Sequence, residues 1–300
     1  AASLAVYTAV VAAASQSYQL VDSYTPGNFW DKFNFITDAD PNGGFVRYLD
    51  RGSAQAAGLI KTGGDTVTLG VDTTSVLDAS AVGRNSVRVE SAQTYKYGLF
   101  VGTFTHFPQP VCGSWPAFWM FSERTRGEFD IYEMWNQVAS NQITYHTSES
   151  FSSCAMGGSV DGYNPLIASN CYSDMNIGCG VQEIDGQWGS PSGGVYALLW
   201  SDTEVSVWSW PLGTEPSDLA TGTPDPSNWP TPHAQLTSST CDIASAFGNM
   251  NIRLNIDFCS TSGVNGIWDA CAASTGSTCV DYISLNPAAL QNVYFEIAGI

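Results

Sequence analysis

Three carboxylates stand within six residues of the stretch Arg126-Gly127-Glu128-Phe129-Asp130-Ile131-Tyr132-Glu133-Met134-Trp135-Asn136. Such a cluster has three uses. Two carboxyls flanking a glycosidic bond can hydrolyse it, and a retaining pair stands about 5–5.5 Å apart, an inverting pair about 6.5–9.5 Å. Oxygen ligands can hold a hard cation. Or the acids are solvated on an outer face and do no chemistry. Spacing alone leaves all three open. In the first case Asp130 has a definite part: it can hydrogen-bond one Glu, and its charge discourages all three acids from ionising together. One carboxyl then keeps its proton as the acid while another stays ionised as the nucleophile.

The element that carries these residues must put them on one side. Phe129, Ile131 and Tyr132 prefer a strand, and successive strand side chains alternate faces. Glu128 and Asp130 therefore share a face, and Phe129 and Ile131 take the other. Glu133 lies five positions after Glu128, so a regular strand would send it to the core face, where an unpaired charge is costly. One extra residue, a β-bulge, restores the parity. Four strand steps separate Cα atoms by roughly 13 Å, which two Glu side chains leaning together across a concave face can shorten to a retaining distance. The stretch thus predicts a bulged strand with Glu128, Asp130 and Glu133 on one exposed face.

Neighbouring residues fit a sugar site. Cys112 to Phe121 reads CGSWPAFWMF, and Trp115 or Trp119 could stack on the apolar face of a sugar, the alternative being that the rings are core. Ile143 to Thr147 reads as the next strand, where His146 could hydrogen-bond a carboxylate of the set or serve a structural partner.

From Tyr18 onward the texture is uniform, and we read one domain over residues 16–300. Short alternating runs recur between turns, among them Asp65 to Val71, Asn85 to Glu90 and Leu99 to Phe104. Val195–Trp200 and Val205–Trp210 flank a polar tetrapeptide and read as a hairpin. Met250 to Phe258 alternates for nine residues, one face apolar and one polar. Helical periodicity is nearly absent after Ser15, apart from a short helix expected from Asn286 with Pro287 at its first position. The sum is an all-β sandwich or jelly roll whose curved sheets offer a concave face to an extended ligand.

Composition narrows the partners. In 300 residues the formal net charge is −18, which disfavours nucleic acid and anionic membranes as partners. Eight cysteines lie in loop-like surroundings without a CxxC pair, so zinc is not expected and disulfides in an oxidising compartment are; about 105 pairings are open. Residues 1–15, AASLAVYTAVVAAAS, read as the remnant of a secretory signal or as an N-terminal tail, and the protein is expected to be secreted. No other stretch is apolar enough to span a bilayer.

Gly127-Glu128-Phe129-Asp130-Ile131-Tyr132-Glu133 resembles the signature of family 16 glycoside hydrolases in its bulged E-x-D-x-x-E form, which is typical of laminarinase-like endo-β-1,3-glucanases. The resemblance runs from about Tyr18 to Ile297 and includes Gly83 to Arg88, Cys112 to Trp119, Tyr145-His146-Thr147, Asn176 to Val181, Val207-Trp208 and Cys279 to Tyr282. It implies a β-jelly-roll with a glycan cleft across the concave sheet and a retaining double displacement that needs no cofactor and no metal. At the matching positions Glu128 is the expected nucleophile and Glu133 the general acid, then base. Asp130 tunes Glu128, and His146 supports the carboxylates. Trp119 matches a cleft tryptophan, and Arg84 and Asn85 match a loop that contacts sugar hydroxyls. Two positions depart from the pattern. A Trp-Pro pair usual before Gly-Glu is replaced by Ser122-Glu123-Arg124-Thr125-Arg126, and a Trp usual after the Asn255 strand falls in Cys259 to Gly263, so Trp135 or Trp268 is a candidate replacement wall. The C-terminus stops near the start of the family's last strand, which suggests slight trimming. The resemblance implies a monomeric β-1,3- (or mixed β-1,3/1,4-) glucan hydrolase. A glucan transglycosylase and a glucan-binding module of the same fold are the alternatives.

Overall fold

The alternating runs pair into two large antiparallel sheets. The computed structural model describes residues 18–78, 80–157, 160–172, 177–260 and 267–300; the segment 1–15 lies outside them. The first sheet has eight strands in the order Phe33–Phe35, Arg88–Ser91, Asn251–Phe258, Ser114–Phe121, Glu128–Glu133, Asn141–His146, Cys179–Glu183 and Leu166–Ala168. The second has seven: Ala234–Thr237, Glu204–Trp210, Gly194–Trp200, Gly98–His106, Phe295–Gly299, Thr66–Leu69 and Ile60–Gly63. The expected hairpin forms with Val195 opposite Trp210 and Trp200 opposite Val205. The fold is a β-jelly-roll sandwich, as the strand pattern and the resemblance predicted.

Aromatic packing between the sheets fixes the strand that carries the acids. Phe129, Ile131 and Tyr132 are all buried. The Phe129 ring meets Tyr145, Trp200 and Phe247 at centroid distances of 5.7, 5.2 and 4.5 Å, while Tyr132 stacks on Phe107 at 4.5 Å. Two adjacent residues, Ile131 and Tyr132, both enter the core, and strict alternation forbids that. The ladder shows why. Ala117 and Phe118 face Glu133 and Tyr132, but the next residue, Trp119, faces Asp130. The predicted bulge is present, with one extra residue in the strand, and Glu133 returns to the side of Glu128.

Asn251–Phe258 alternates as read, yet its polar face is not solvated. Arg253, Asn255 and Asp257 are all buried, because this face forms part of the cleft floor and its side chains are committed to neighbours. Helical content is greater than expected. The turn at Asn286 is a 3₁₀ helix, Pro287–Leu290. Two helices of seven residues, Asp269–Thr275 and Cys279–Leu285, were not anticipated. Each is too short to show a helical period, although Thr278, whose hydroxyl accepts from the Asp281 N–H, is an N-cap signal. All eight cysteines are paired: Cys112–Cys271, Cys154–Cys241, Cys171–Cys179 and Cys259–Cys279.

Candidate active site

The eight-stranded sheet carries a cleft of about 460 Å³. Glu128 and Glu133 line it, together with Trp115, Trp119 and His146. Asp130 lies beneath, 1% exposed. Its Oδ2 accepts from the Thr144 hydroxyl at 2.7 Å and meets His146 Nε2 at 3.1 Å. Thr144 and His146 alternate on the adjacent strand, opposite Asp130 and Glu128, so ladder register brings the four groups together. A Cβ on Gly178 would stand 2.7 Å from His146 Cε1; only glycine leaves the ring its place.

This crowding sets the protonation states. Burial, and then the charge of Asp130, push the Glu128 carboxyl up to about 8. Burial, Asp130 and Glu128 drive Glu133 well above the usual carboxylate range. Burial opposes a charge on His146, but its bond to Asp130 and the three surrounding acids outweigh that and raise it to about 9. The two glutamates differ in what restrains the rise. Glu128 feels the cations His146 and Arg253; Glu133 accepts an N–H bond from Trp115 (Nε1 to Oε1, 2.9 Å) and feels the charge of His146. The arrangement therefore favours negative charge on Glu128 and the proton on Glu133, the division that a nucleophile and an acid require. Glu128, Asp130 and His146 each offer one ligand atom within 4.8 Å of the others. This is one nitrogen and two carboxylates, a set to which a calcium ion, with six to eight oxygen ligands, would have to add further oxygens.

Some sequence assignments move. Arg84 is 0% exposed and does not reach the cleft. Its guanidinium bonds the carbonyls of Asp72, Ser75, Ile283 and Ser284 at 2.6–3.1 Å, capping the C-terminal end of the Cys279–Leu285 helix, whose last carbonyls have no helical partner. Asn85, in the short strand beside Arg47, is half-buried and outside the cleft lining. Trp135 stands behind Trp115, with ring centroids 4.8 Å apart. With Trp268 it lines a separate hollow of about 50 Å³, so it supports the cleft ring rather than forming the wall. Of the segment Cys259–Gly263, residues 261–263 lie outside the described residues.

The charged loop that replaces Trp-Pro builds a wall of another kind. Arg126 lies over the Phe121 ring at 4.6 Å, and Arg253 over Phe121 and Trp119 at 4.7 and 5.1 Å. Glu123 accepts from Arg253 at 2.8 Å and from Arg126 at 3.3 Å. Sequence reasoning missed Arg253, and also Asn255, which accepts from Trp119 Nε1 at 2.8 Å. Their signal was the polar alternation of Met250 to Phe258.

A bulged acid strand, a cleft across one jelly-roll sheet and an Asp130–His146 floor are the arrangement that the resemblance to family 16 glycoside hydrolases implies. The family model described as "XgeA-like, catalytic GH16 domain" matches residues 33–300, and the chain belongs to glycoside hydrolase family 16. An Aspergillus fumigatus protein described as a probable endo-1,3(4)-beta-glucanase is 38% identical over 99% of this chain and 47% of its own length. The chain spans about half the length of the curated relatives it matches. Laminarinase 16A from Phanerochaete chrysosporium, solved with beta-glucans in donor and acceptor sites, superposes with a TM-score of 0.86 at 36% identity, over 95% of this chain and 98% of that one. An elongating family 16 beta-1,3-glucosyltransferase superposes with a TM-score of 0.86 at 31% identity, over 93% and 97%.

Proposed function

We propose that this chain is a secreted, monomeric endo-β-glucan hydrolase that cleaves β-1,3 linkages, mixed β-1,3/1,4 glucans included, with retention at the anomeric carbon. The observation that carries the reading is the bulge, which turns Glu133 to the face of Glu128 above a common Asp130–His146 support. Glu128 attacks the anomeric carbon while Glu133 protonates the departing glycosidic oxygen; the C–O bond breaks and a glycosyl ester forms on Glu128. Water then gives a proton to Glu133 and attacks the same carbon, releasing Glu128. Trp115 and Trp119 present ring surface to the sugar, the first also holding Glu133. The four disulfides require an oxidising compartment, which supports secretion.

Incubation with laminarin, lichenan and carboxymethyl cellulose, followed by product analysis, tests this. Short oligosaccharides from laminarin are expected, and inactivity on all three substrates overturns the reading. Transglycosylation is a second reading, supported by the similarity to the elongating glucosyltransferase. It replaces the water of the second step by a sugar hydroxyl and predicts products longer than the substrate.

A further inference from the structure

Glu133 reaches the cleft because of the bulge, and a bulge leaves backbone groups out of the regular ladder. One side chain meets them here. Asn141, itself 0% exposed, accepts from the Glu133 N–H through Oδ1 at 2.8 Å and donates through Nδ2 to the Ile131 carbonyl at 3.0 Å. A single planar amide thus spans the distorted residues immediately before the acid.

The orientation of that amide is itself fixed. Nδ2 also donates to Glu183 Oε2 at 2.9 Å. Glu183 lies opposite Asn141 on the neighbouring strand, is 0% exposed, and accepts from the Tyr196 hydroxyl at 2.7 Å and from the Ser209 hydroxyl. His233 Nε2 stands 3.7 Å from its Oε1. A flipped amide would turn an oxygen toward this carboxylate and the Ile131 carbonyl and an NH₂ group toward the Glu133 N–H, losing all three bonds. Gly186 leaves this carboxylate its place, since an added Cβ there would stand 2.0 Å from the Glu183 Cδ. A buried carboxylate contributes little to stability by itself; one that fixes an amide beside a reacting acid has a use.

We propose that Asn141 is a positioning residue for the general acid: it locks the bulge so that Glu133 projects at the glycosidic oxygen, and Glu183 locks Asn141. The inference rests on the reading of Glu133 as the acid. A misplacement of about 1 Å costs about a hundredfold, and only where acid help is needed.

The test compares kcat/KM, which reports the first step, on laminarin and on a dinitrophenyl β-laminarioside, whose leaving group needs little protonation. Asn141→Ala is expected to lose about a hundredfold on laminarin and less than about threefold on the activated glycoside. Equal losses on both substrates overturn the proposal, while a wild type that cleaves neither overturns the glucanase reading instead. Should Asn141→Ala fail to fold, N141D and N141D/E183Q carry the test. The single variant sets two carboxylates against each other in the core. The double variant exchanges the two functional groups: the amide now stands at position 183 and the carboxylate at position 141 still accepts from the Glu133 N–H, while both variants alike lack the donor to the Ile131 carbonyl, so the comparison between them isolates the 141–183 pair. Laminarin activity about tenfold above that of N141D alone supports the coupling; a folded double variant without recovery refutes it.

Discussion

Glu128 and Glu133 differ in company rather than in type. Both sit over Asp130, but Arg253 restrains Glu128 and the Trp115 N–H restrains Glu133. Replacing Glu133 should therefore spare activated aryl glycosides and abolish turnover of glucan, measured by kcat/KM on each; uniform loss would assign Glu133 elsewhere. The same raised carboxyls predict a pH dependence of stability. Both carboxyls of the pair are raised, Glu128 to about 8 against an ordinary value of 4.5 and Glu133 well above it, so between 4.5 and 8 the native pair, with its proton on Glu133, binds more protons than the unfolded chain. Stability should fall as pH rises through that window. His146, raised to about 9 from 6.5, adds stability that is complete below 6.5 and lost as pH rises through 9. Thermal unfolding across pH 4 to 9 should show a declining midpoint for the wild type and a flatter profile for Glu128→Gln. That the three acids gather at one place was legible because three acids in six positions are rare in a strand. Arg84 was misplaced because a buried guanidinium bonding carbonyls and one bonding sugar hydroxyls leave the same letter in a sequence.

At the scale of the element, parity made the bulge readable, and strict alternation would have buried Glu133. What parity did not reveal is what holds the bulge in place: Asn141 and Glu183 are read from neighbouring strands, and their pairing exists only in three dimensions. The core side of the acid strand makes a separate prediction. Phe129→Ala removes a fully buried ring and should cost about 3–5 kcal/mol, measured by denaturant unfolding. The surviving folded fraction should keep its turnover, because Phe129 faces away from the cleft. The two seven-residue helices near the C-terminal end escaped notice because neither is long enough to show an apolar face, and disulfides Cys112–Cys271 and Cys259–Cys279 tie them down.

Over the whole molecule, the strand pattern and turn spacing pointed to a β-sandwich or jelly roll with a concave face, and the resemblance narrowed this to the jelly-roll with its cleft. Disulfide pairing was not readable, since it depends on which loops the sandwich brings together. Those pairings rank the crosslinks by the chain they close. Cys112–Cys271 spans 159 residues and Cys171–Cys179 spans 8. In the chain-entropy picture their removal should cost about 5 and about 2.5 kcal/mol respectively, a difference that paired Cys→Ser variants in thermal unfolding would display. The charged Ser122–Arg126 loop shows the same principle at the cleft rim. The missing Trp-Pro pair is replaced by arginines layered on Phe121 and Trp119, a wall that the sequence alone presents only as a charged turn.

The measurement that bears most directly on the division of labour between the two glutamates is azide rescue on an activated β-1,3-linked aryl glycoside. With Glu128→Ala, azide should take the place of the nucleophile and yield the α-glycosyl azide. With Glu133→Ala, azide should attack the glycosyl ester on Glu128 and yield the β-glycosyl azide. Exchange of the two anomers between the variants, or rescue of neither, would contradict the assignment.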